Sequence, residues 1–220
     1  ACGAPNSRGH ALSCNKGGVL IHRHDEVRDL LGELLSTAGF TNVYKNPVVV
    51  EGSPGISFRG ASTMESSSPD TTAGLVGDLA VTGLFDYASE LIIDVRVTDT
   101  NALSAKSDVS AHLKAHEDEK IRKYRDACRR QGMDFLPFVL SAAEGLVGPQ
   151  SAALLDKLTS TLAKKWGKSQ ARIRSWIQTR LAFAMIRGTS NCFRSKRYSW
   201  KRLGCYHYEP TDARGAFSSP

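Results

Sequence analysis

The 220-residue sequence has no apolar run approaching the roughly 18 residues a membrane span needs, so a transmembrane helix is excluded. Its start has no basic stretch leading into an apolar one, and no secretory signal is read there. It begins with Ala rather than Met and is read as a piece of a longer chain. Cysteine is scarce: five residues, odd in number and widely spaced, do not make a disulfide framework and favour a reducing compartment. No internal repeat is found. Acidic residues are missing altogether between Asp156 and Glu209, a segment that carries 13 Lys and Arg.

What is there is enough for a core. With 41% hydrophobic residues, the chain can bury one or two domains. Its net charge of +7 is divided unevenly. Residues 1–105 hold 7 basic and 12 acidic side chains, whereas residues 106–220 hold 22 and 10. Trp166, Trp176, Tyr198 and Trp200 are interleaved with the C-terminal cations. Such a segment is either a solvated helix surface with a basic tail or a polyanion-binding face that neutralises phosphates. The missing acids favour nucleic acid, with Lys164, Lys165, Lys168, Arg172, Arg174, Arg180, Arg187, Arg194, Lys196 and Arg197 as contacts.

Periodicity predicts the elements. Val27, Leu30, Leu31, Leu34 and Leu35 have helical spacing over residues 23–40, closed by Gly39. Residues 42–51 read as a strand, with Pro47 marking an edge or a break. Residues 52–74 read as a Gly/Ser/Pro/Thr-rich loop. Strands are predicted at 77–85, 90–97 and 134–142. Helices are predicted at about 107–131, 149–166 and 169–188. The order implies an α/β layer fold with a mixed sheet.

One strand carries a puzzle. In residues 90–99, ELIIDVRVTD, alternation puts Leu91, Ile93, Val95 and Val97 on one face and Ile92, Asp94, Arg96 and Thr98 on the other. A buried carboxylate costs several kcal/mol unless it is paired, neutralised or metal-bound. Asp78 enters the preceding strand, so two carboxylates come within reach of one Mg²⁺, a hard cation that keeps several waters. On the following helix Lys120 and Tyr124 share a face, with Lys123 on its flank. Alone, each has an ordinary reading: strand-end aspartates solvated by turns, and solvated lysines neutralised by Glu117, Asp118 and Glu119.

Together, Asp78, the IIDVRV strand and KIRKY on the next helix resemble the restriction-like endonuclease domain of non-LTR retrotransposons, a branch of the PD-(D/E)xK nucleases. HALSC, the Gly17–Gly18 turn and RHDEVRDLL resemble that family's zinc knuckle and first core helix. FLPFVLSAAEGLVG resembles the strand and turn after the lysine helix, and RIRSWIQTRLAFAMIRG the closing segment. The resemblance spans about residues 2–190. It implies a restriction-endonuclease-like core, αβββαβ around a mixed central sheet, with C-terminal helices and an N-terminal zinc-knuckle remnant. The segments would be 1–22 for the knuckle, 23–148 for the core, 149–190 for the helices and 191–220 for a basic aromatic tail.

By the same resemblance, Asp78 and Asp94 are metal-binding carboxylates for Mg²⁺ or Mn²⁺. Lys120 is the catalytic lysine moved onto the helix, with Lys123 and Tyr124 as companions and Arg96 as a charge-compensating assistant. Glu26 or Glu33 adds a carboxylate from the first helix. The implied activity is nicking of target DNA to prime reverse transcription. The implied partners are DNA, the element's RNA and a reverse-transcriptase domain in the same chain, with no membrane, and the implied location is nuclear. Val76 and Gly77 stand where the family has Pro or Arg-Pro, and Arg96 stands where the superfamily has a lysine. Arginine stays protonated and cannot be a general base. These departures motivate the alternative, an inactive nuclease-fold module that binds DNA or RNA.

Cys2, His10 and Cys14 are soft ligands at spacing suited to Zn²⁺, but a closed structural site takes four. A cysteine just before Ala1, or His22 or His24, would supply the fourth. Cys128, Cys192 and Cys205 read as core or surface thiols. His112 and His116, four apart on the lysine helix, read as a solvated pair, with metal binding the alternative.

Overall fold

The leucine stripe of residues 27–35 is one side of helix α1 (Val19–Ala38). Val27, Leu31, Leu34 and Leu35 have no exposed surface at all. Gly39 ends the helix at φ 99°, a left-handed angle that Gly adopts without strain. The computed structural model describes residues 10, 12, 14, 19–51, 74–86, 89–100, 108–142 and 144–195. Beyond α1 they comprise strands β1 (Thr41–Lys45), β2 (Val48–Val50), β3 (Leu75–Val76), β4 (Leu79–Thr82), β5 (Glu90–Thr98) and β6 (Asp134–Ser141). The remaining helices are α2 (Val109–Arg130), α3 (Pro149–Trp166) and α4 (Gln170–Ser195).

The main sheet has the order β1-β4-β5-β6. β4 pairs antiparallel with β1 and with β5, while β6 lies parallel to β5, so the sheet is mixed as its sequence order implies. The parallel step is bridged by α2, as parallel neighbours require a crossover. Pro137, which lacks an N–H, is accommodated because β6 is an edge strand.

One expected strand is divided and another is shortened. Residues 42–51 form β1 and β2 in different sheets, whereas within residues 77–85 only Leu79–Thr82 form a strand, β4, and β3 in the other sheet precedes it at Leu75–Val76. The two breaks, at Asn46–Pro47 and at Gly77–Asp78, face each other. Asn46 turns the chain at φ 56° before Pro47, Gly77 N–H donates to Pro47 O (2.9 Å), and Asn46 N–H donates to Asp78 O (3.1 Å). A Cβ on Gly77 would stand 2.4 Å from Ile92 Cγ2, so the residue before Asp78 has to be glycine. β2 and β3 then pair as a separate two-stranded ribbon.

The alternation of β5 holds. Leu91, Ile93 and Val95 belong to the large core shared with α1, α3 and α4, and Ile92 belongs to a smaller cluster with Tyr124 and Cys128 of α2. The helices after β6 therefore complete the core that α1 begins. α4 runs seven residues past the expected stop at 188. Gly188 lies inside it, where a Cβ would approach Arg23 Cα of α1 to 2.8 Å. That glycine permits a close helix crossing and does not end the helix. None of the described helices is long and apolar enough to cross a membrane.

Candidate active site

Past Ile93, which pairs with Leu79, β5 outruns β4. The exposed rung is filled by side chains. Asp78 Oδ2 accepts the Val95 N–H at 2.6 Å and lies 3.0 Å from His24 Nε2, which also stands 3.1 Å from Val95 O. Both neighbours of that nitrogen accept, so Nε2 carries a proton. Asp25 Oδ1 lies 3.4 Å from the other ring nitrogen. Burial pulls the His24 pKa down, but the hydrogen bond and charge of Asp78, with those of Asp25, outweigh it and raise the net value.

Asp94, one residue before Val95, points the other way and is 5% exposed. Its Oδ2 stands 3.0 Å from Lys120 Nζ in an ion pair not aligned as a hydrogen bond, so this buried oxygen lacks a positioned donor. Burial pushes the Asp94 carboxyl above the usual carboxylate range; Lys120 opposes that rise and the Asp78 charge adds to it. Tyr124 lies beneath, its ring stacked on Phe135 at 4.8 Å and its hydroxyl donating to Val76 O at 3.1 Å. Burial first, then Asp94, raises the pKa of that hydroxyl. Lys120 and Lys123 stand 5.8 and 5.5 Å from the centre of the Tyr124 ring.

The polar face of β5 is matched step by step by α2. Asp94 meets Lys120, Arg96 meets Glu119 (3.1 and 3.0 Å), and Thr98 Oγ1 lies 3.4 Å from His116 Nε2. The partners run in opposite order along the two elements, 94, 96 and 98 against 120, 119 and 116. Four strand residues span about 13 Å and the four helix steps about 6 Å, so the long side chains make up the difference. Arg96 was expected to compensate Asp94, but its guanidinium is taken by Glu119. Residues of like face on one strand lie about 6.6 Å apart, whereas the helix brings partners to contact distance.

Other expected residues are brought elsewhere. Glu26 and Glu33 turn to α4, where they pair with Arg187 (3.0 Å) and Arg180 (2.6 Å). Glu117 is 1% exposed and neutralises no lysine; it accepts from Gln150 N, Ser151 N and Ser151 Oγ at the start of α3. Of the nucleic-acid candidates, Arg174 pairs with Asp156 and Lys165 donates to Thr37 O at 2.6 Å. Lys164, Lys168 and Arg172 are exposed with no ion-pair partner among the described residues, and Arg194 is exposed beside an apolar cleft of about 770 Å³. Lys196 and Arg197 lie outside the described residues, as does Cys2 of the zinc set. Of that set's described members, Cys14 donates its N–H to His10 O at 2.9 Å and is buried. His24, considered for zinc, belongs to Asp78.

Among the described residues no three His, Cys, Asp or Glu side chains gather in a way that could hold a metal ion. Mg²⁺ does not need three, being bound commonly by one or two carboxylates and completed by water. Two carboxylates that feel each other's charge, one with a buried oxygen lacking an aligned donor, fit that donor chemistry in kind. His24 is the site residue that sequence reasoning did not assign to Asp78. Nothing local in the sequence links it to Asp78, which lies 54 residues away. No protein-family model matches this chain, and no curated protein does.

Proposed function

We propose that this chain is a metal-dependent DNA endonuclease domain with a restriction-endonuclease-like αβββαβ core. In this reading it nicks target DNA to prime reverse transcription in a non-LTR retrotransposon. The observation that carries it is the buried Asp94 of β5 paired with Lys120 of α2, near enough to Asp78, just before β4, to feel its charge. Asp78 and Asp94 are the residues that hold Mg²⁺ or Mn²⁺, which when bound acidifies a water and offsets charge at a phosphodiester. Lys120 holds the Asp94 carboxylate in place and offers its ammonium to the scissile phosphate, orienting the attacking water and stabilising the developing charge. Tyr124 and Lys123 shape that face of the helix. Lys164, Lys168 and Arg172 grip backbone phosphates. Zn²⁺ at Cys2, His10 and Cys14, a nuclear location, and partnership with element RNA and a reverse transcriptase belong to the same proposal.

A second reading has its own observation. Asp78 is engaged by Val95 N–H and His24, and Asp94 by Lys120, so both carboxylates have partners without metal. That suits a non-catalytic module that binds DNA or RNA on the nuclease fold. Nicking of supercoiled plasmid with Mg²⁺ or Mn²⁺ separates the two. Metal-dependent nicking that drops at least 100-fold in Asp94→Ala and in Lys120→Ala supports the nuclease. Salt-sensitive binding with no product, or unchanged nicking by Asp94→Ala, rejects the assigned site.

A further inference from the structure

The other end of the matched face of α2 holds two histidines that the proposed nuclease chemistry does not use. His112 and His116 are four residues apart, which places them one above the other on the helix. Their rings meet edge to face with centroids 4.5 Å apart, and their Nε2 atoms are 3.1 Å apart. Two imidazole nitrogens at that separation, each about 2.05 Å from a common zinc ion, would subtend roughly 100°, close to tetrahedral. The rings are already at chelating distance.

The tautomer of His116 is set by its neighbours. Nδ1 faces Glu119 Oε2 at 3.2 Å, and a carboxylate only accepts, so Nδ1 bears the proton and Nε2 presents a lone pair. The Thr98 hydroxyl, 3.4 Å away, faces that same lone pair. A carboxylate holding the far nitrogen of a metal-bound histidine is a common outer-shell arrangement that orients the ring. Glu119 is fixed in turn by Arg96. Without metal, the His112 Nε2–H donates to the His116 lone pair. Binding moves that proton to the His112 Nδ1 through solvent, so both Nε2 atoms become ligands with no net proton change.

We propose that His112 and His116 form a two-imidazole chelate for a late first-row divalent cation such as Zn²⁺, distinct from the Asp78–Asp94 site, with Glu119 as the residue that positions His116. Water or a ligand oxygen completes the coordination. The site needs neither nuclease activity nor the N-terminal cysteines.

The test uses the full 220-residue chain and Zn²⁺ alone, with histidine resonances followed by ¹H–¹⁵N NMR. Zinc is expected to shift the ring signals of His112 and His116 together, saturating at one equivalent for that pair. Zinc titration calorimetry is expected to lose one binding event, or weaken it at least tenfold, in His112→Gln and again in His116→Gln. Glu119→Gln should weaken the same event about tenfold without abolishing it. Undisturbed His112 and His116 signals in the wild type would overturn the proposal whatever the variants do. Binding identical in both His variants would overturn it as well, by assigning the zinc to another site.

Discussion

Asp94 shows what one buried carboxylate demands. With Lys120 at 3.0 Å it has a counter-charge, and without one it has only protonation. In divalent-free buffer, Lys120→Met is expected to raise the Asp94 pKa further, because an opposing charge is removed while burial and Asp78 remain. The folded-state pKa already stands above the unfolded one. The group's favourable contribution is therefore present below the unfolded pKa and is lost as pH rises through the folded value. The variant should lose about 3 kcal/mol at pH 7, and less as the pH falls toward 4. Urea unfolding at several pH values checks this; a cost independent of pH would show that Asp94 is not the group left uncompensated.

The residue scale also shows how much of the site could be read early. Alternation was enough to put Asp94 and Arg96 on one face, and helical spacing was enough to put Lys120 with Tyr124. The partner of Arg96 was not legible. Glu117, Asp118 and Glu119 are consecutive acids, and only the docking angle of α2 gives Glu119 to Arg96 and sends Glu117 the opposite way. His24 was likewise legible as a histidine on the first helix but not as the partner of Asp78, 54 residues away.

At the scale of elements, α3 is capped from outside itself. Its N-cap is Gly148, which has no side chain, and Pro149 follows at the first helical position. The unpaired N–H groups of Gln150 and Ser151 are met by Glu117 of α2, a negative charge at the positive end of the helix. Glu117→Ala is expected to destabilise the protein by about 3 kcal/mol, since charged, buried hydrogen bonds are lost together. Glu117→Gln should cost less, because one oxygen can still accept. Thermal unfolding compares the two; equal costs would mean that the neutral acceptor adds nothing and that the carboxylate charge carries the whole effect. The breaks at Pro47, between β1 and β2, and at Gly77, between β3 and β4, belong to this scale too. The sequence marks Pro47 as a break, but the reason that Gly77 breaks opposite it is the 2.4 Å approach to Ile92 from another strand.

For the whole molecule, the charge asymmetry is partly spent on holding the helices together. Arg180 and Arg187 pair with Glu33 and Glu26 across the contact of α4 with α1, whereas Lys164, Lys168 and Arg172 carry no such partner among the described residues. Replacing those three by Ala should weaken DNA binding and reduce the slope of log K against log salt by about 3. Arg187→Ala should leave the slope unchanged, where loss of a phosphate contact would reduce it by about 0.9. Filter binding across a salt series measures both, and an equal loss for every arginine and lysine would mean that the pairing does not partition them.

Periodicity, alternation and charge distribution are local properties of a chain. The sequence by itself therefore determined the four described helices, the mixed α/β character, the two faces of β5 and the basic C-terminal half. Which anion meets which cation is decided by the packing of elements far apart in sequence, through distances of a few ångströms that no spacing encodes. Only the tertiary structure joined Asp78 to His24, Asp94 to Lys120, Arg96 to Glu119 and Glu117 to α3. Desolvation makes the choices at Asp94 and Glu117 matter most: in a buried site an unpaired charge costs several kcal/mol, so the fold is held to those pairings.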